Sequence, residues 1–138
     1  MRQRSLLLAV FFVAVLAGCA KKDDPAPDPD DFAARIAGTY QVSKLTLNTQ
    51  VLTLPQQGLS ASLKLTKKGT LMNEVIYLLT FNNNGATESG TGEFQLFDSG
   101  ADVDIYEDGI KRGIWSNNTI NLSILTDDGL KLVIVAKK

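Results

Sequence analysis

The chain has 138 residues, with 14 basic and 15 acidic side chains, one cysteine and no histidine. A formal charge of −1 without a basic stripe argues against a nucleic-acid partner. The missing histidine removes Ser-His-Asp and Cys-His catalytic centres and most zinc sites, and no motif calls for a cofactor.

Arg2 and Arg4 precede Leu6 to Ala17, a run without a polar residue. A positive start, an apolar stretch and closing small residues make the pattern of a secretory signal peptide over residues 1–18. A spanning helix needs roughly 20 apolar residues. This run stops short of that, and the polar Lys21-Lys22-Asp23-Asp24 follows at once.

Leu16-Ala17-Gly18-Cys19 closes the run and holds the one cysteine. It resembles a bacterial lipobox. The resemblance implies cleavage after Gly18 and transfer of diacylglycerol to the Cys19 thiol, with acylation of the new amine, so that Cys19 holds the protein to a membrane. A lone free thiol in an oxidising compartment would be a liability. Each buried methylene contributes about 0.8 kcal/mol, so two or three chains anchor stably where one is marginal.

Residues 19–31 read as a lipidated cysteine followed by a disordered tether, polar and rich in proline and aspartate. Polyproline geometry, at about 3.1 Å per residue, lets such a stretch hold a domain roughly 35 Å from a bilayer. Lys22-Asp23-Asp24 resembles the Lys-acidic-acidic export signal of Bacteroidota-type lipoproteins, which implies display on the outer face of the outer membrane. The alternative is a charged linker on a periplasm-facing protein. Ala20 follows the cysteine where an aspartate would be the usual inner-membrane retention signal.

Residues 32–138 fit one small domain. Removing Arg2 and Arg4 leaves 12 basic against 15 acidic residues, a net charge of −3. Asp30 or Asp31 can cap a short helix that Gly38 ends. Phe32 and Ile36, four apart, share its face and are expected to plug the end of a hydrophobic interior.

Period-two alternation follows. The expected strands carry Tyr40-Gln41-Val42-Ser43 running on to Leu47, Leu59 to Thr66, Val75 to Phe81, Phe94-Leu96, Val103-Ile105, Ile114-Trp115, Ile120 to Ile124 and Leu130 to Ala136. Asn82-Asn83-Asn84-Gly85, Asp98-Ser99-Gly100, Glu107-Asp108-Gly109, Ser116-Asn117-Asn118 and Asp127-Asp128-Gly129 turn the chain. Eight or nine short strands at such spacing predict an all-β domain, a small antiparallel up-and-down barrel of about eight strands with a short N-terminal helix. A β-sandwich is the alternative. Leu132-Val133-Ile134-Val135 is apolar on both faces, as a strand paired on both edges would be. Tyr40, Leu63, Phe81, Phe94, Trp115 and Leu122 are the candidate interior residues.

The helix before Gly38-Thr39-Tyr40, the Phe81 to Gly85 hairpin, Gly113-Ile114-Trp115 and Ile120-Asn121-Leu122 together resemble small lipocalin-like lipoproteins. Lipocalins open with Gly-x-Trp, where this chain has Tyr40. They set a late arginine over that tryptophan, where this chain has Lys131, Lys137 and Lys138. The resemblance implies a barrel that takes a small hydrophobic or amphipathic ligand.

Asp102 to Gly109 is acidic, but Tyr106 and the late glycine break calcium-loop spacing. Glu93 has no evident carboxylate partner for glycoside hydrolysis. Three functions compete. The first is a membrane-anchored module binding a small apolar or amphipathic ligand. The second is a filled barrel docking an envelope protein. The third, an enzyme, has the least support. Trp115, the one indole, would report on a ligand held inside the barrel.

Overall fold

The computed structural model describes residues 25, 26 and 28–138. The expected signal peptide, Leu16-Ala17-Gly18-Cys19 and Lys22-Asp23-Asp24 lie outside the described residues.

The short helix α1 spans Phe32–Ile36. Its cap is Asp31, whose carboxylate accepts the Ala34 N–H at 2.8 Å and pairs with the Lys67 ammonium. The helix stops at Ala37, whose N–H reaches the Ala33 carbonyl at 3.0 Å. The sequence reading placed that stop at Gly38, but Gly38 opens the first strand with a φ of +143°. That backbone conformation strains any L side chain, and a Cβ would also push the end of Lys138 aside.

Nine strands follow among the described residues: β1 Gly38–Leu47, β2 Gln50–Thr53, β3 Leu59–Lys67, β4 Glu74–Asn83, β5 Ala86–Ser99, β6 Asp102–Glu107, β7 Ile110–Ser116, β8 Thr119–Leu125 and β9 Lys131–Lys137. Each pairs antiparallel with its sequence neighbour from β3 to β9, and β1 pairs with both β3 and β9. The result is a closed eight-stranded barrel with β2 as an extra strand on β1. Closure through Gln41↔Lys137 to Leu47↔Leu132 rules out the sandwich. It also explains the doubly apolar β9, which pairs with β8 on one edge and β1 on the other.

Two details differ from the sequence reading. β2 was not foreseen. It exists because a bulge at Ser43 turns the second half of β1 away from β3, and that half pairs with β2 instead. β5 is also far longer than expected, because its first half, Ala86 to Glu93, continues the ladder with β4. The Asn84-Gly85 turn between them has positive φ at both residues, 50° and 88°, as a tight hairpin requires.

Opposed residues in an antiparallel ladder share a face. The inward row therefore includes Tyr40 and Val42, Leu63 and Leu65, Val75 and Leu79, Phe94 and Leu96, Val103 and Ile105, Trp115, Ile120 and Leu122, and Ile134 and Ala136, all buried. With Ala33 and Ile36 of α1 they form one core. Among the described residues this core runs from Ala33 to Ala136.

Candidate ligand cavity at the open end

The barrel has two unlike ends. At the helix end, α1 packs where β3 stops and β4 starts, and where β7 ends in Trp115. Trp115 Nε1 donates to the Tyr40 hydroxyl at 3.0 Å, and that hydroxyl donates to the Ile36 carbonyl at 2.6 Å. Burial pushes the Tyr40 pKa up, and the Trp115 hydrogen bond opposes it. Arg35 lies 5.1 Å from the Trp115 ring centroid and hydrogen-bonds the Ala101 carbonyl. Lys138 Nζ lies 5.7 Å from the Tyr40 ring centroid and donates to the Ala37 carbonyl at 2.7 Å. Ile36 is fully buried here, and Phe32 packs beside it half-buried. This end is closed.

The opposite end holds a cavity of about 240 Å³, lined by Leu59, Phe81, Asn83, Ala86 and Glu88. These residues come from the start of β3, the end of β4 and the start of β5. Phe81 faces Ala61 across one ladder and Glu88 across the other, so Glu88 shares the inward face with it. Next along β5 come Gly90 opposite Leu79 and Gly92 opposite Tyr77. A Cβ at Gly90 would meet nothing within 4 Å. A Cβ at Gly92 would run into the Tyr77 ring at 2.6 Å. Ala86 and Glu88 line the space and Gly90 beside them is open, whereas the room at Gly92 is taken by the Tyr77 ring.

A polar trio lies deeper. The Tyr77 ring stacks on Phe94 at 4.3 Å between centroids, and its hydroxyl donates to Glu107 Oε1 at 3.1 Å. The other Glu107 oxygen lies 3.2 Å from Arg112 Nε. Burial first, then the charge and hydrogen bond of Glu107, push the Tyr77 pKa up to about 12, with Arg112 opposing. The hydroxyl is therefore a fixed, neutral donor at physiological pH. Arg112 sits at the bulge where β6 and β7 shift register, which turns it toward Glu107.

The sequence-derived candidates divide between the two regions. Tyr40, Leu63, Phe94, Trp115 and Leu122 are buried in the packed core. Phe81 alone among them lines the cavity. Trp115 belongs to the helix end, so it is not the direct reporter of this cavity that the sequence reading expected. Leu59, Asn83, Ala86 and Glu88 were missed as site residues. The available sign was a period-two row of small residues, Ala86, Gly90 and Gly92, interrupted by Glu88. The other acidic candidates are engaged elsewhere. Lys68 sits between Glu93 and Glu74, and Lys111 Nζ meets Asp104 at 2.8 Å. Among the described residues no cluster of three His, Cys, Asp or Glu side chains is placed to hold a metal.

No family model matches the chain, and no curated protein matches it. Among solved structures, one described as a redesigned beta barrel matches with a TM-score of 0.52 and 17% identity, over 78% of this chain and 95% of that one. At that identity the likeness speaks to the fold alone, a small closed antiparallel barrel.

Proposed function

We propose that this protein is a lipid-anchored envelope lipoprotein whose barrel holds a small amphipathic ligand at its open end. One observation carries the binding half: the barrel is packed at the helix end but left open at the other by the small inward row of β5. Ligand pockets commonly run from about 300 to 1,000 Å³, so a space of about 240 Å³ suits a small guest. An engineered apolar cavity of about 150 Å³ takes benzene. A single ring or a short acyl segment is the right scale. A whole long-chain lipid is not.

The anchor half rests on the Leu6 to Ala17 run and on Leu16-Ala17-Gly18-Cys19. Lys22-Asp23-Asp24 supports display at the cell surface. The chain enters the barrel through Asp31 at the helix end, so the mouth opens at the end remote from the tether. A molecule arriving from outside would meet the mouth first. The lipocalin-like resemblance gains from Lys138, which lies over Tyr40 as the family's late arginine lies over its tryptophan.

The docking alternative keeps one specific observation in its favour. Ile76 and Leu78 form an exposed apolar pair on the outward row of β4, and Phe97 is about half exposed on β5. Such a patch fits an envelope protein partner.

Two experiments test the proposal. Cys19→Ser should abolish incorporation of labelled palmitate and leave uncleaved precursor, and continued labelling would remove the anchor. Hexanol titrated into the barrel domain should bind saturably. Ala86→Leu, which adds bulk at a lining position, should abolish that binding. Unchanged binding to Ala86→Leu would place the ligand elsewhere.

A further inference from the structure

The charge of the cavity narrows the ligand further. This inference rests on the binding reading above and deepens it. Of the five lining residues, Leu59, Phe81 and Ala86 are apolar, Asn83 carries an amide, and Glu88 is the single ionisable group. No lysine or arginine lines the space. The nearest interior cation along the sheet, Arg112, faces Glu107, which also takes the Tyr77 hydrogen bond. Lys111 is paired with Asp104. Lys64 lies on the outward row of β3, alternating with the inward Leu63 and Leu65.

Glu88 is exposed and directly opposite Phe81 in the ladder, further in than the Asn83↔Ala86 pair beside the hairpin turn. A guest held against Phe81, Leu59 and Ala86 meets only two polar side chains of the lining, the Glu88 carboxylate beside Phe81 and the Asn83 amide between Leu59 and Ala86. An ionised carboxylate accepts hydrogen bonds and donates none. A carboxylate head would therefore face a like charge, whereas an ammonium head would gain a charge-assisted hydrogen bond.

We propose that the open-end cavity selects cation-headed amphiphiles, primary amines on a short alkyl or single-ring body, over the carboxylic acids a barrel of this kind would be tested with first. Glu88 is the specificity-determining residue, and Leu59, Phe81 and Ala86 supply a body site indifferent to the head.

The test compares three probes of one body and different heads, n-hexylamine, n-hexanol and hexanoate, by calorimetric titration into the barrel domain at neutral pH. The amine should bind on the order of three- to tenfold tighter than hexanoate, the range expected for a partly exposed charge contact. The alcohol should fall between them. Raising the salt concentration should shrink the spread. Glu88→Gln should collapse the spread between the amine and the acid, and Glu88→Lys should reverse the order. Glu88 is exposed, so neither change threatens the core. Hexanoate binding as tightly as hexylamine, or a preference that survives Glu88→Gln, overturns the head-group inference while leaving the cavity as a binding site. Failure of all three probes to bind overturns the binding reading itself, and this inference with it.

Discussion

The indole N–H of Trp115 donates to the hydroxyl of Tyr40 at 3.0 Å, across 75 residues of sequence. The same hydroxyl donates to the Ile36 carbonyl at 2.6 Å. Strand β7, strand β1 and the plugging helix are thus joined through one oxygen atom in a buried place. The helix end owes its closure to this relay as much as to apolar packing.

Tyr40→Phe should expose its importance. The ring stays, but the Trp115 N–H and the Ile36 carbonyl both lose a buried partner. Each bared group costs roughly 1–3 kcal/mol. The urea midpoint should fall with an unchanged slope, and Trp115 emission should shift in the folded state. A midpoint equal to the parent's would mean that water or another group satisfies both atoms.

Two inward glycines should respond oppositely to the same change. A Cβ at Gly113 would lie 1.9 Å from the Asn121 backbone oxygen, which cannot move without breaking the β7–β8 ladder. Gly113→Ala should reach or exceed the upper end of the roughly 1–3 kcal/mol typical of overpacking. Gly90→Ala has free space and no positive φ, so it should be neutral or mildly stabilising. Equal melting midpoints for the two variants would contradict the packed-end, open-end division of the barrel.

Asp31 should govern part of the acid response. The hydrogen bond from Lys67, then that from the Ala34 N–H, hold its carboxyl below its ordinary value of 3.8. A carboxyl depressed in the folded state binds fewer protons there than in the unfolded chain. Its stabilisation is therefore complete above the unfolded value and is lost as pH falls toward the lower, folded one. Asp31→Asn should lower stability at neutral pH and flatten the acid limb below about pH 4. The same acid limb in parent and variant would show that Asp31 contributes nothing to it.

Surface display gives a cellular prediction. Protease added to intact cells should clip the tether ahead of Asp31 and release the barrel, because the core of the described residues runs from Ala33 to Ala136. Protection until lysis would place the protein facing the periplasm.

The barrel was legible wherever burial imposes period two. Leu59 to Leu65, Ile120 to Ile124 and the doubly apolar β9 announce strands because their inward positions must be apolar. The first half of β5 was not legible for the converse reason. Its inward positions Ala86, Glu88 and Gly90 border open space and Gly92 lies against the Tyr77 ring, so nothing demands large apolar side chains there. The residues that make the cavity are those that erase the strand pattern. Strand β2 was hidden differently. It follows from the bulge at Ser43, where the inward row steps from Tyr40 and Val42 to Leu45, a change of parity that a strict period-two reading passes over. The helix stop was misplaced by one residue because Gly38 serves the entry to β1, against Lys138, and that contact joins the two ends of the domain.

The most direct test of the account follows individual side chains of the barrel by nuclear magnetic resonance while n-hexylamine is titrated in. Saturable shifts should concentrate at the Leu59 and Ala86 methyls and the Phe81 ring, with Ile36 and Trp115 unmoved. Saturable shifts at Ile36 and Trp115, with Leu59, Phe81 and Ala86 silent, would contradict an open-end binding site.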